Sequence, residues 1–320
     1  MTRKLAKEIF WGIALCCFTA FGIVQAEAVE LSMATGGTAG TFFPLGGAIS
    51  SVITKYYPEA NITVQTSDGS VNNSHLLGTG EVDLALIQTD ISYYAYNGLE
   101  IFKTKYPNLR AICRVYPDTT HIIAKGDGSI NSVADFKDRN VSVGAPGSGN
   151  EVSFRQIVNS AGLTYKDFKP VYLSFSESSE HFKDGHISVF HTNSSVPASI
   201  VMDLNSISQV KLVPVEGEVR EKLIKDYPFY TPVSIPANTY KYQETPYETI
   251  AVQAILAVDA GVSDELVYEM TKALFGHLDE VADTHSAARG MSMETALDGI
   301  AIPLHPGAEK FFGENGVTKK

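Results

Sequence analysis

The sequence predicts an α/β fold of two lobes that are joined by a hinge and separated by a cleft. Two Gly-rich loops, at 36–47 and 143–151, each follow a strand-like run and open into a helix-like stretch. Between and after these loops, short apolar runs alternate with helical patterns, which indicates parallel sheets. The 320 residues are enough for two domains. Two helix N-termini that face each other across a cleft would form a site for an anionic small molecule.

Three strand–helix pairs are predicted in the first part of the chain. Their strands are short apolar or alternating runs, expected at 29–34, 62–66 and 83–88. Their helices are expected at 44–57, 70–78 and 91–97. The first helix rests on the helical spacing of Leu45, Ile49 and Val52, and Ser70 is expected to cap the second. Asp90 is expected to cap the third.

The alternation pauses and then restarts in the middle of the chain. Two strands, at 110–115 and 122–125, are expected on either side of a turn at Tyr116-Pro117-Asp118. Further strands are expected at 141–143, 171–174, 187–191 and 210–213. Helices are expected at 133–137, 152–161, 177–183 and 197–204. An apolar strand at 249–257 and a helix from Ser263 to Leu278 complete the prediction.

The first 26 residues predict a cleaved signal peptide. Arg3, Lys4 and Lys7 precede an apolar run at 9–24, and small residues lead to a cut after Ala26. A retained membrane anchor is the alternative. After cleavage Cys113 is the one cysteine left, so the exported chain is expected to form no internal disulfide.

Charge and motifs argue against several classes of protein. The net charge of −11 argues against binding to nucleic acid or to anionic lipid. The second Gly-rich loop lacks the Lys-Ser/Thr ending of a P-loop, and no Gly-x-Ser-x-Gly nucleophile elbow occurs. The eight histidines show no metal-ligand spacing. We therefore predict no catalytic residue, no cofactor and no metal.

Five segments together resemble one protein family. They are GGTAGTFFPLGGAIS, DGSVNNSHLLGTGEVDLALIQTD, SVADFKDRNVSVGAPGSGNEVSFRQIV, SESSEHFKDGHISVF and ALDGIAIPLHPGAEKFF. In order and spacing, over residues 30–313, the chain resembles the TAXI class of extracytoplasmic solute-binding proteins, the soluble receptors of TRAP transporters. The resemblance implies a periplasmic protein of the two-lobe, type II binding fold. A monomer is expected, although the sequence leaves dimerisation open. The resemblance also implies capture of a small carboxylate or amino acid, such as glutamate, glutamine or a 2-oxo-dicarboxylate, for an ion-coupled membrane permease.

Two other receptor roles remain open at this stage. A solute-binding protein of an ATP-driven importer has the same fold and the same cleft. A receptor that presents its ligand to a membrane sensor would also look alike in sequence.

The two predicted lobes are each assigned residue ranges. Lobe I comprises residues 27–117 and 236–320, and lobe II comprises 118–235. The two crossings are expected near residues 116–121 and 234–249.

Four ligand contacts are predicted in the first loop, and a fifth at the end of a strand. The first loop offers Thr38 and Thr41 as donors, followed by Phe42 and Phe43. Family members usually carry two tyrosines at these last two positions, so here the wall is apolar. Packing in a core is the alternative for both rings. Gln88 ends a buried strand at its carboxyl edge, where ligands bind in open α/β sheets; a tie within its own lobe is the alternative.

The second lobe contributes the other predicted contacts. Ser148 and Asn150 are expected to donate to a ligand or to cap a helix, and Glu151 to accept from a ligand ammonium group or complement the helix N-terminus. In the polar run 191–195, Thr192 and Asn193 are expected to bond to the ligand. His191 is expected either to titrate near neutral pH or to be a hydrogen-bonded structural residue.

Overall fold

The computed structural model describes residues 28–319, and every structural statement below refers to them. The predicted signal peptide and its cleavage site lie outside these residues. Within residues 28–319, no helix combines the length and the apolar character that crossing a membrane requires.

One mixed sheet runs through the described chain. Its strands are β1 Val29–Ala34, β2 Ala60–Gln65, β3 Leu84–Gln88, β4 Leu109–Lys125, β5 Asn140–Ser142, β6 Lys169–Val171, β7 Val189–Ser194, β8 Val210–Leu212, β9 Thr231–Ile235 and β10 Tyr247–Asp259. The order across the sheet is β2-β1-β3-β10-β4-β7-β5-β6, with β8 beside β4 and β9 beside β10. The pairs β2-β1-β3 and β7-β5-β6 are parallel, as the alternating sequence predicts.

Helices cover the sheet and connect its strands. They are α1 Phe42–Tyr56, α2 Ser70–Thr79, α3 Thr89–Asn97, α4 Gly149–Ser160, α5 Phe175–Lys183, α6 Ser199–Ile207, α7 Gly217–Asp226, α8 Asp264–Gly276, α9 Leu278–Thr284 and α10 Pro306–Glu314, with 3₁₀ turns at Val133–Phe136 and Ser286–Gly290. Most predicted elements are confirmed within a few residues. The cap of α2 is a correction: Gly69 is the N-cap, and the Ser70 hydroxyl instead accepts the Gln88 N–H at 3.1 Å.

The turn predicted at residues 116–118 is wrong, because β4 continues through it. This 17-residue strand pairs with β10 along residues 109–119 and with β7 along residues 119–124. Pro117 lies opposite Gln253, and the register of the pair shifts just beyond it, between Ala254 and Ile255. A proline cannot donate to a ladder, and such irregularities are where strands tolerate one.

Buried apolar residues form one large cluster and two smaller ones. The half of the fold around the large cluster is called the first half below, and the half around the two smaller clusters is called the second half. The large cluster includes Met33, Leu45 and Phe312, between the β1–β3 region and the helices around it. The long strands β4 and β10 contribute to clusters in both halves. The lobe boundaries stay a prediction. Tyr240 and Tyr247 pack in a second-half cluster, which favours a return to the first half inside β10 rather than at residue 236.

Candidate functional site

A cavity opens between the two halves of the fold. Residues from the first half, such as Thr41 and Gln88, and from the second, such as Ser148 and Phe175, line its opposite walls. Its volume is about 90 Å³, which is below the usual range for small-molecule sites. The position between the halves agrees with the predicted cleft.

Five helices begin at this cavity. The lining includes the first residue or the N-cap of each, namely Phe42 of α1, Ser70 of α2, Gln88 before α3, Gly149 of α4 and Phe175 of α5. The first N–H groups of a helix have no partner within it, and this end carries partial positive charge. No residue of the cavity lining is Lys, Arg or His. Any attraction for an anion therefore comes from uncharged donors, namely backbone N–H groups and hydroxyl or amide side chains.

Two glycines allow the walls to come this close. A Cβ atom on Gly149 would lie 1.6 Å from Oε1 of Gln88, across the junction of the halves. A Cβ atom on Gly40 would lie 2.6 Å from the ring of Phe175. The Gly-rich loops therefore allow the two halves to come into contact, and they also allow helices to begin at the cavity.

A polar group formed by Gln88, Tyr116 and Asp118 lies on the wall of the cavity. The Tyr116 hydroxyl donates to Oδ1 of Asp118 at 3.1 Å, and Gln88 Nε2 donates to Oδ2 at 3.0 Å. Burial raises the pKa of Asp118 to about 7. Sequence reasoning missed both Tyr116 and Asp118, because it assigned them to a turn at the crossing between lobes. One signal was available in the sequence. The carboxyl group of Asp118 stands between two apolar runs that were predicted as strands.

Six of the ten predicted contacts line the cavity. They are Thr41, Phe42, Gln88, Ser148, Asn150 and Asn193. The Thr41 hydroxyl lies 3.0 Å from the hydroxyl of Ser194, in the other half. The ring of Phe42 meets that of Tyr116 edge-on, with centroids 6.2 Å apart.

The second-half side chains are largely bonded to one another. The Ser148 hydroxyl donates to the Ala145 carbonyl at 2.7 Å and, as the N-cap of α4, accepts the Glu151 N–H at 3.2 Å. Asn150 Oδ1 accepts the Asn193 N–H at 2.8 Å. These side chains hold the loops of the second half in shape.

The structure does not bring the other four predicted residues into the lining. They are Thr38, Phe43, Glu151 and Thr192. Thr38 is exposed, and Phe43 is half-buried. Glu151 Oε1 accepts from Arg155 Nε at 3.3 Å and from the Tyr165 hydroxyl at 2.9 Å. The buried Thr192 hydroxyl donates to the Asn193 carbonyl at 3.2 Å.

Neither description offered for His191 fits the structure. Its ring is fully buried, lies 4.9 Å from the Phe154 ring, and has no hydrogen-bond partner for either nitrogen. Burial first, and then the charge of His121, lowers the pKa of His191 to about 3. His191 is therefore a neutral core residue at physiological pH.

The described chain has an α/β fold of two lobes with a cavity between them. The sequence model of the NMT1-like family matches residues 33–316, so the chain belongs to the NMT1-like family.

Three solved structures share this architecture. The alkanesulfonate-binding protein SsuA from Xanthomonas axonopodis pv. citri, bound to MOPS, is 14% identical, with a TM-score of 0.51 over 90% of this chain and 84% of that one. PhnD1 from Prochlorococcus marinus, in complex with methylphosphonate, is 11% identical, with a TM-score of 0.55 over 81% and 90%. A putative L-cystine ABC transporter protein from Listeria monocytogenes is 14% identical, with a TM-score of 0.52 over 82% and 98%.

Proposed function

We propose that this protein is a periplasmic receptor that captures a small carboxylate or amino acid and delivers it to a TRAP-type, ion-coupled permease. The observation that carries the proposal is the meeting of five helix N-termini at one cavity, three from the first half and two from the second. An anion held at such a point is stabilised from both lobes. Contacts to both lobes also favour a closed arrangement around the ligand.

The chemistry of the cavity favours a small ligand with a delocalised anionic group. Backbone N–H groups at the helix N-termini suit a carboxylate. SsuA and PhnD1 carry a sulfonate and a phosphonate in their structures. At their low identity they support the fold alone, so the choice of a carboxylate rests on the resemblance to the TAXI class.

The choice of membrane partner also rests on that resemblance. The similar protein from Listeria monocytogenes is named for an ABC transporter, and an ATP-driven importer is the second candidate partner. The two are separated by uptake into membrane vesicles that hold the candidate permease. Uptake that follows an imposed ion gradient and ignores ATP favours the TRAP partner, and uptake that requires ATP overturns it.

A thermal-shift screen tests the proposal directly. The protein is unfolded, dialysed and refolded so that no retained ligand remains, and is then heated with glutamate, glutamine, 2-oxoglutarate and other small carboxylates. Ligand that binds only the native state raises the Tm in proportion to the logarithm of its excess. We expect such a rise with at least one of these compounds. If ligand-free protein responds to no carboxylate, the proposed function is wrong.

A further inference from the structure

Among three buried oxygen acceptors on the cavity wall, the amide oxygen of Gln88 has no donor and the two oxygens of Asp118 have one each. An ionised carboxylate offers about four lone-pair positions, and Asp118 uses two of them, toward Tyr116 and Gln88. Because the amide nitrogen of Gln88 faces Asp118, its oxygen is left over. That oxygen is buried and has no hydrogen-bond partner. Gln88 is only 2% exposed, and its oxygen points toward Gly149 in the opposite wall.

No cation in the cavity lining balances this group. Tyr116 faces Asp118 from its own strand, Gln88 faces it from β3, and the buried Asp90 at the start of α3 adds negative charge. Asp68 lies at the exposed mouth. The second half presents uncharged groups, namely Ala145, Ser148, Gly149, Asn150, Ser174, Phe175 and Asn193. A buried acceptor without a donor is unfavourable.

We propose that Asp118 and the amide oxygen of Gln88 receive a protonated amine of the ligand, so that the cavity selects an α-amino acid over the 2-oxo acid of the same carbon skeleton. This inference rests on the proposed function, in which the helix N-termini hold the ligand carboxylate. An ammonium group brings three donors and a positive charge to the group that lacks both. A keto oxygen brings only an acceptor, and sites built for a donor reject analogues that lack it.

The first experiment compares matched pairs of ligands by calorimetry, using protein freed of retained ligand by refolding. The pairs are glutamate with 2-oxoglutarate, alanine with pyruvate, and leucine with 4-methyl-2-oxopentanoate. We expect the amino acid of the pair that fits to bind at least about tenfold more tightly than its oxo acid, the effect of one charge-assisted hydrogen bond. Asp118→Asn is expected to abolish this preference. Asp283→Asn removes the same charge on the exposed face of α9, outside the cavity lining, and is expected to retain the preference.

A second measurement needs no variant. Because the pKa of Asp118 lies near 7, an ammonium group that binds to it drives its proton off, and amino-acid binding at pH 7 releases protons. A 2-oxo acid held by the protonated carboxyl would instead take protons up. The sign follows from the binding enthalpy of wild-type protein in two buffers of different ionisation enthalpy. Proton release supports the amine site, whereas uptake or no exchange overturns it.

The outcomes separate this inference from the proposed function. Equal or tighter binding of the oxo acid overturns the amine site and leaves a carboxylate receptor standing. An unchanged preference in Asp118→Asn also overturns the amine site. Absence of binding by both members of every pair overturns both proposals.

Discussion

His191 shows what one buried side chain contributes to stability. Its folded pKa of about 3 lies below the ordinary value of 6.5, so on acidification the unfolded chain takes up a proton that the folded chain does not. Stability is therefore lost as the pH falls from 6.5 toward 3, by about 1.4 kcal/mol for each pH unit. Above pH 6.5 this loss is absent.

His191→Leu is expected to stabilise the protein, and more so in acid. It removes two buried nitrogens that lack partners, worth about 1 kcal/mol at pH 7. By pH 5 the gap to wild type is expected to widen by about 2 kcal/mol. Chemical denaturation at the two pH values measures both gaps. A gap that does not change with pH would contradict a neutral, buried imidazole.

The residues that sequence reasoning found are those fixed by local chemistry. Thr41, Phe42 and Ser148 stand where a Gly-rich loop turns into a helix, and that pattern can be read along the chain. Tyr116 and Asp118 could not be found in this way. They reach the cavity because β10, more than 120 residues later, pairs with β4 across Pro117. The sequence around this proline has the composition of a turn.

At the scale of elements, the start of α4 packs against the other half of the molecule through Gly149. Gly149→Ala would place a methyl group 1.6 Å from Gln88 Oε1, so the Gln88–Asp118 pair or the approach of the halves must shift. We expect the affinity for glutamate, measured by calorimetry, to fall at least about tenfold, with little change in Tm.

Gly47→Ala is the matched control, since no atom lies within 4 Å of its added Cβ. It is expected to raise stability by up to about 1 kcal/mol and to leave affinity unaltered. Equal affinities in the two variants would contradict the close contact.

Helix α7 and strand β9 were not predicted, for two different reasons. Leu223 is the one fully buried residue of α7 and six of its ten residues are charged, so the helical spacing of Val219, Leu223 and Ile224 is a weak signal in the sequence. Strand β9 is mostly exposed, contains Pro232 and pairs only with β10. The conformation of β9 depends on a partner strand, whereas the residue patterns of β1 and β3 identify them as strands in the sequence alone.

At the scale of the whole molecule, contacts across the cavity hold the two halves together. The Asn72 N–H of α2 donates to the Gly147 carbonyl at 3.0 Å. The Gln156 amide of α4 donates to the Tyr94 hydroxyl of α3 at 3.3 Å. Two long strands, β4 and β10, run through both halves. In the described arrangement the cavity walls are in contact.

The hydroxyl of Thr41 is a contact whose removal tests the proposed closing motion. It lies 3.0 Å and 3.3 Å from the hydroxyls of Ser194 and Ser195, and it accepts the Ser195 N–H at 3.3 Å. Thr41→Val keeps the shape of the side chain and removes these hydrogen bonds between the halves. The open form is therefore expected to become more populated. We expect about fivefold weaker glutamate binding and, without ligand, a larger radius of gyration in small-angle scattering than wild type.

Thr271→Val is the control for this prediction, because its hydroxyl bonds to the Val267 carbonyl within α8, away from the junction. It is expected to lower the Tm and to leave both the affinity and the radius of gyration as in wild type. Saturating glutamate should compact wild type and Thr41→Val to the same size, since ligand contacts to both lobes then dominate the equilibrium. Wild-type protein that binds glutamate tightly without becoming more compact would rule out closing as the mode of capture. A Thr41→Val protein that loses affinity at unchanged size would mean that Thr41 acts on the ligand itself.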